Sequence, residues 1–269
     1  MPSKRKLNYM TQVAEQTVLT KLENNVFYII MNRPDSLNSA NEKMLLEMQT
    51  ALSSAEKDLE VRAIVITGSG RGFCSGADLR EGIHGNLKEH LDKTFRPVIA
   101  KMTSIEKPVI TAVNGVAAGA GASIALAGDI RLWSDAANMM QAFSKIALIP
   151  DAGSTWFLPR LVGYNRAFDM MVHAEKIVAE DALQMGLCER VYPSDEFEAR
   201  VKTFAENLAQ GPTKTFGLTK RALLKNLSNN LDEALEYEGQ LQNIAGASSD
   251  FAEGVTAFLE KRAAKFQGK

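Results

Sequence analysis

The chain has 269 residues, 45% of them hydrophobic and 23% charged, enough apolar material to bury a full core. A formal net charge of -1 gives no electrostatic reason to expect a nucleic-acid partner, and no apolar run has the length of a membrane span. No apolar signal core follows the basic Lys4-Arg5-Lys6, and Cys74 and Cys188 lack metal-type spacing, so free thiols in a reducing cytoplasm are expected.

Val18 to Leu22 and Val26 to Met31 read as strands around a Glu23-Asn24-Asn25 hairpin turn. Ser39-Ala40-Asn41-Glu42 reads as a capping box, and Met44, Leu45, Met48, Leu52 and Ala55 then share one helical face. A strand over Ala63 to Thr67 ends in a Gly-rich turn, Gly68 to Leu79. A helix is predicted over Leu87 to Met102, bent or split by Pro97. The β-branched run Pro108 to Val113 empties into Asn114-Gly115-Val116-Ala117-Ala118-Gly119-Ala120-Gly121, which continues as a short buried helix ending at Gly128. Ile130 to Trp133 completes a strand–strand–helix rhythm. Beyond Pro150 the pattern is helical: Ala152 to Leu158, Asn165 to His173, Ala179 to Met185 and Phe197 to Ala209. Gly211-Pro212 marks a boundary between a core of residues 1–210 and a helical segment of residues 211–269. That segment should hold helices at Thr213 to Leu227, Leu231 to Ala247 and Phe251 to Lys265, the last opened by Asp250 with Glu253 three residues on. The fold class is α/β.

Two strands thus each end in a turn of glycine and alanine. Small side chains let another group approach the main chain, and a helix start leaves N–H groups without intrahelical partners. Two converging donors, one from each turn, would form an oxyanion hole for an oxygen that gains negative charge. Tight helix packing is the alternative reading of either turn alone.

Arg33-Pro34-Asp35-Ser36-Leu37-Asn38, Gly72-Phe73-Cys74-Ser75-Gly76-Ala77-Asp78-Leu79 and the stretch from Asn114 to Asp129 together resemble the crotonase (enoyl-CoA hydratase/isomerase) superfamily. Ala257-Phe258-Leu259-Glu260-Lys261-Arg262 resembles that family's C-terminal helix. The resemblance implies a core of repeated ββα units, a C-terminal trimerisation segment, a homotrimer or dimer of trimers, and acyl-CoA thioesters as substrates. It implies no metal or redox cofactor, with coenzyme A entering as part of the substrate. It places the two thioester-binding amides on Ala77 and Ala120, the latter where the family usually has glycine. Arg33 and Arg80 fall where family members have basic residues near the nucleotide, a solvated surface arginine being the alternative, and Asp78 and Leu79 beside them are taken as substrate-binding. Phe258 and Lys261 match residues that in relatives reach the CoA of the same or a neighbouring subunit, a helix with one apolar and one charged face being the alternative.

The family's two hydratase glutamates match Ser123 and Phe143 here, neither of them a carboxylate, so simple hydration is not favoured. Ser123 is read as a small buried helix residue or a wall of the acyl pocket and not as a catalyst, and Phe143, placed with it at the substrate, should exclude water. The remaining carboxylate is Asp151, in Ile149-Pro150-Asp151-Ala152-Gly153, a position similar to the catalytic aspartate of the ring-1,2-epoxyphenylacetyl-CoA isomerase branch. One carboxylate can take a proton from one carbon and return it to another, which is isomerase chemistry. Beside Pro150 the same Asp could instead be a helix N-cap, which would lower its pKa where burial would raise it. A hydratase or dehalogenase-type acyl-CoA enzyme is the alternative within the family. Outside it stand a hydrolase using Cys74 with His173 as base and a non-catalytic acyl-CoA-binding protein. Gly68-Ser69-Gly70 is only part of a dinucleotide fingerprint, and His84, His90 and His173, lacking metal spacing, read as surface or core histidines.

Overall fold

The computed structural model describes residues 16–82 and 86–269, so Lys4-Arg5-Lys6 and His84 lie outside the described residues. Strands β1 (Val18–Glu23), β2 (Val26–Met31), β3 (Ala63–Gly68), β5 (Val109–Val113), β7 (Ile130–Ser134) and β10 (Arg190–Tyr192) lie side by side in that order. The first pair is an antiparallel hairpin whose turn residues Asn24 and Asn25 have φ of 49° and 63°, the left-handed pair that a two-residue turn requires. All later neighbours in this sheet are parallel. Both faces are covered, which explains the unbroken apolar run of β3: Ala63 and Val65 join one buried cluster, Ile64 and Ile66 the other.

A second, smaller sheet holds β4 (Gly72–Cys74), β6 (Val116–Ala118), β8 (Asn138–Met140) and β9 (Ile177–Val178), the first three parallel and β9 antiparallel to β8. Each repeat is therefore a long strand, a short strand and helix: β3 and β4 lead to α2 (Leu87–Lys93) and α3 (Phe95–Ser104), β5 and β6 to α4 (Ala120–Leu126). The repeat begun by β7 and β8 continues through a 3-10 turn at Ala142–Ile146 into α5 (Ser154–Val162). The fold is the α/β, repeated-ββα architecture that the resemblance implies.

Helix ends differ from the sequence reading for identifiable reasons. The cap of α1 (Glu42–Lys57) is Asn41, not Ser39, because its side chain accepts from the Met44 amide at 3.0 Å. Its buried stripe is Met44, Leu45, Met48, Ala51, Leu52 and Ala55. The predicted Leu87 helix breaks at Thr94, leaving Pro97 inside the first turn of α3, where its missing N–H costs no hydrogen bond. Left-handed φ at Ala152 (48°) and Gly153 (87°) delays α5 to Ser154.

After α6 (Tyr164–His173), α7 (Ala179–Met185) and α8 (Phe197–Ala209) come α9 (Thr213–Asn226), α10 (Leu231–Gly246) and α11 (Ser249–Glu260). Ser248 caps α11, and the predicted cap Asp250 instead accepts the Gln267 and Gly268 amides at 2.6 and 2.7 Å. The helix stops at Glu260, short of Lys265, where Lys261 turns left-handed and Arg262 folds back to pair with Glu253. Lys220 of α9 ties this segment to the core through Asp129 at 2.8 Å and the Met102 carbonyl at 2.6 Å. Among the described residues no helix is long and apolar enough to cross a membrane.

Candidate active site

Two backbone segments meet where β4 ends and α4 begins. A Cβ placed on Gly121 would lie 2.0 Å from the Cys74 carbonyl oxygen, so only glycine permits this approach. A Cβ on Gly76, whose φ is 107°, would lie 3.0 Å from the Ala118 oxygen and 3.8 Å from the Ala120 nitrogen. Ala77, the next residue, is therefore brought against the first turn of α4.

Both amides are left free. Ala40 donates to the Gly76 carbonyl at 2.7 Å and accepts from the Asp78 amide at 2.9 Å, a parallel bridge that leaves the Ala77 N–H unused. Gly119 donates to Met140 at 2.9 Å, and Ala120 opens the helix, where an N–H has no intrahelical acceptor. Among the described residues, neither the Ala77 nor the Ala120 amide donates to a protein acceptor. Ala120 is 3% exposed, and its methyl group is accommodated at the family's usual glycine position.

A cavity of about 260 Å³ opens at these amides, and Asp151 and Phe143 line it with them. Helices α2 and α3 contribute a further wall through Leu87, His90, Leu91 and Phe95. Asp151 is not a helix cap: Gly153 occupies that position, and no side chain bonds to the helix start. Its main chain is pinned instead, the carbonyl accepting from Ser123 Oγ at 2.9 Å and from the Ser154 amide at 3.0 Å. Its carboxylate oxygen Oδ1 is buried with no partner. Burial pushes the carboxyl from 3.8 up to about 6. A partner-free carboxyl with such a pKa is suited to exchanging protons near neutral pH.

The other predicted residues are distributed unevenly. Asp78 and Leu79 line the cavity, but the Asp78 carboxylate is engaged with Arg33 at 2.7 Å. Burial alone would raise the Asp78 pKa, but the Arg33 guanidinium and the Arg80 amide hold it below its usual value. Arg33 also donates to the Ser39 carbonyl and does not line the cavity, and neither does the exposed Arg80. Ser123 is not a cavity wall; fully buried, it bonds Asp151 O and Ser154 Oγ and positions the turn behind the carboxylate. Phe258 is 82% exposed and Lys261 is the left-handed residue ending α11, so neither reaches this cavity within one chain.

The Cys74 hydrolase reading fails on physical grounds. Cys74 is fully buried, and burial pushes its thiol up to about 11. His173 faces Asp169 on its own exposed helical surface, and Cys74 is the last residue of strand β4 and does not sit on a strand-to-helix turn, unlike a nucleophile elbow. The sequence reading also missed His90, which lines the cavity. The i, i+4 spacing of Leu87 and Leu91 around it was the available signal.

Comparison with known proteins identifies the family. A family model described as Enoyl-CoA hydratase/isomerase matches residues 21–269. A "Probable enoyl-CoA hydratase" of Rhodobacter capsulatus is 45% identical over 255 residues, covering 94% of this chain and 98% of that one. A "1,2-epoxyphenylacetyl-CoA isomerase" of Escherichia coli is 39% identical over 258 residues, covering 94% and 98%. The crystal structure of an enoyl-CoA hydratase from Bacillus anthracis superposes with a TM-score of 0.90 at 31% identity, covering 94% of this chain and 100% of that one. With its repeated ββα units and two free amides at the meeting of β4 and α4, the chain belongs to the enoyl-CoA hydratase/isomerase family of the crotonase superfamily.

Proposed function

We propose that the protein is an acyl-CoA isomerase that moves a proton on a CoA thioester, with Asp151 as its acid and base. The thioester oxygen would accept from the Ala77 and Ala120 amides. Removing a proton from the adjacent carbon places negative charge on that oxygen, and each aimed donor is worth roughly 2.7–4 kcal/mol in a comparable hole. Asp151 would take the proton from one carbon and return it to another, so that the bonding electrons shift along the acyl group and no net proton is lost. A positioned acid and base adds about 10²–10⁴-fold.

The observation that carries this reading is Asp151, with its Oδ1 buried and unpartnered, lining the same cavity as both amides. Phe143, 5% exposed, stands at the position of the family's second glutamate and supplies no carboxylate there to hold a water. The relatives named as a hydratase and as an isomerase both match 94% of this chain and 98% of their own, so the test must separate the two reactions. The protein incubated with 3-hexenoyl-CoA in deuterium oxide should yield deuterated 2-hexenoyl-CoA, and Asp151→Asn should lower that rate about 10²–10⁴-fold while the ester still binds. An unchanged 3-hexenoyl-CoA, with 2-hexenoyl-CoA converted by addition of water to 3-hydroxyhexanoyl-CoA, would make it a hydratase. Unchanged exchange in Asp151→Asn would remove the aspartate from the mechanism. An oligomer of three or six copies is also proposed, and light scattering on the purified protein tests it.

A further inference from the structure

Helix α4 links the two halves of the site. Ala120 opens it with a free amide, and one turn on Ser123 donates its own amide to the Gly119 carbonyl at 3.2 Å. The Ser123 hydroxyl lies 2.9 Å from the Asp151 carbonyl oxygen and 2.8 Å from Ser154 Oγ, and both serines are fully buried. Its contact with the Gly119 carbonyl, at 3.4 Å, is the longer one. A carbonyl only accepts, so the short contact to Asp151 takes the single Ser123 proton, and Ser154 must then donate to Ser123 Oγ. The Ser154 amide also donates to the Asp151 carbonyl at 3.0 Å, which closes a ring of three hydrogen bonds between α4 and the start of α5.

The ring matters because nothing holds the Asp151 side chain itself. Oδ1 is buried without a partner, and among the described residues no hydrogen bond reaches the carboxylate. Its place is set by the main chain, which is strained there: Ala152, which carries a side chain, has φ of 48°, and Gly153 follows at 87°. An ionised carboxyl is better served in water, or as a cap on the first amides of α5. A turn free to relax would take it to either. From this geometry we infer that Ser123 and Ser154 are positioning residues, whose paired hydroxyls tie the Asp151 turn to α4 and so hold the carboxylate in register with the Ala120 amide. The inference rests on Asp151 acting as acid and base. An ionised glutamate at residue 123 has no proton to give the Asp151 carbonyl, so a hydratase-type carboxylate and this anchor exclude one another there.

Burial is the sole cause that pushes the Asp151 carboxyl up to about 6, although Glu42, Asp78, Glu81, His90 and Lys145 line the same cavity. Its titration therefore reports where it sits. Carbon-13 NMR of protein labelled at the aspartate carboxyls follows it, the signal of residue 151 being the one that Asp151→Asn removes. Ser123→Ala and Ser154→Ala should each move that titration from about 6 towards 3.8. With 3-hexenoyl-CoA, Ser123→Ala should lower kcat for deuterium exchange by up to about 10²-fold while KM stays within about twofold, as misplacement of a reacting group does. Adding Ser154→Ala to it should cost about twofold or less, because the acceptor of that hydroxyl is already gone. Loss of packing alone would shift neither the titration nor kcat against KM. A carboxyl that still titrates near 6 in both folded variants, with kcat within about twofold of wild type, overturns the inference. Movement of the titration with no exchange by the wild type would retain the serine anchor and overturn the isomerase reading instead.

Discussion

Replacing Asp151 by Asn should make the protein more stable as it removes activity, and the gain should depend on pH. The carboxyl moves from its usual 3.8 to about 6 because it is buried, and Oδ1 finds no donor. That rise corresponds to about 3 kcal/mol against the ionised form, trimmed to about 2 kcal/mol by solvent reaching the partly open cavity. The folded protein holds this proton more tightly than the unfolded chain does. The contribution of this group is therefore most favourable below pH 3.8, is lost as pH rises towards about 6, and is constant above that. Asn, neutral throughout and nearly isosteric, escapes the penalty. Urea unfolding of both proteins at equal concentration, followed through the buried Trp133, should give similar midpoints at pH 4.5 and an Asn midpoint higher by about 0.5–1 M at pH 8. Destabilisation by Asn at pH 8, or an equal gain at both pH values, would refute the reasoning, since either result requires a partner for the carboxylate or no burial cost.

Three further perturbations test the frame around the site. Gly121→Ala, whose new methyl would meet the Cys74 oxygen at 2.0 Å, should cost at least about 1–3 kcal/mol in urea unfolding and slow proton exchange by about 10²-fold or more by prising the two amides apart. Cys74→Ser should leave exchange kinetics within about twofold at a stability cost of about 1–2 kcal/mol, because the buried thiol is packing and not a nucleophile; a complete loss of turnover in a folded protein would contradict this. Lys220→Ala removes the cation paired with Asp129 and the bond to the Met102 carbonyl, and because Asp129 is exposed to solvent it should cost about 1–3 kcal/mol in the same unfolding assay.

The parts of the fold visible in the sequence were those with a local physical signature. Asn24-Asn25 announces its hairpin because few residues other than asparagine and glycine tolerate two left-handed φ values in succession. The stripe from Met44 to Ala55 follows from helical spacing alone. The second sheet was not visible, since β4, β6 and β8 have three residues each and are drawn from glycine- and alanine-rich turns, too short for any alternation to register. The caps at Ser39 and Asp250 were misplaced because several neighbouring polar residues could serve and tertiary contacts chose among them, as the Gln267 and Gly268 amides did for Asp250. At the site, the glycines foretold close backbone approach, but Asp151 stood out only through family resemblance. The cap it could have been was decided by the left-handed Ala152 and Gly153. Of the two readings of Ser123 the buried helix residue holds and the pocket wall does not, and no sequence rule anticipates a hydroxyl that reaches a main-chain carbonyl 28 residues away.

The free N–H groups at residues 77 and 120 belong to the peptide linkage and not to any side chain. No codon change at either position, short of one that introduces proline, can delete them. Natural variation can therefore rewrite the surrounding walls, gaining, losing or relocating an acidic group, without touching the charge-accepting half of the site. If these amides hold the thioester as proposed, a lineage built on this frame could change its product by single substitutions and keep its grip on the substrate throughout.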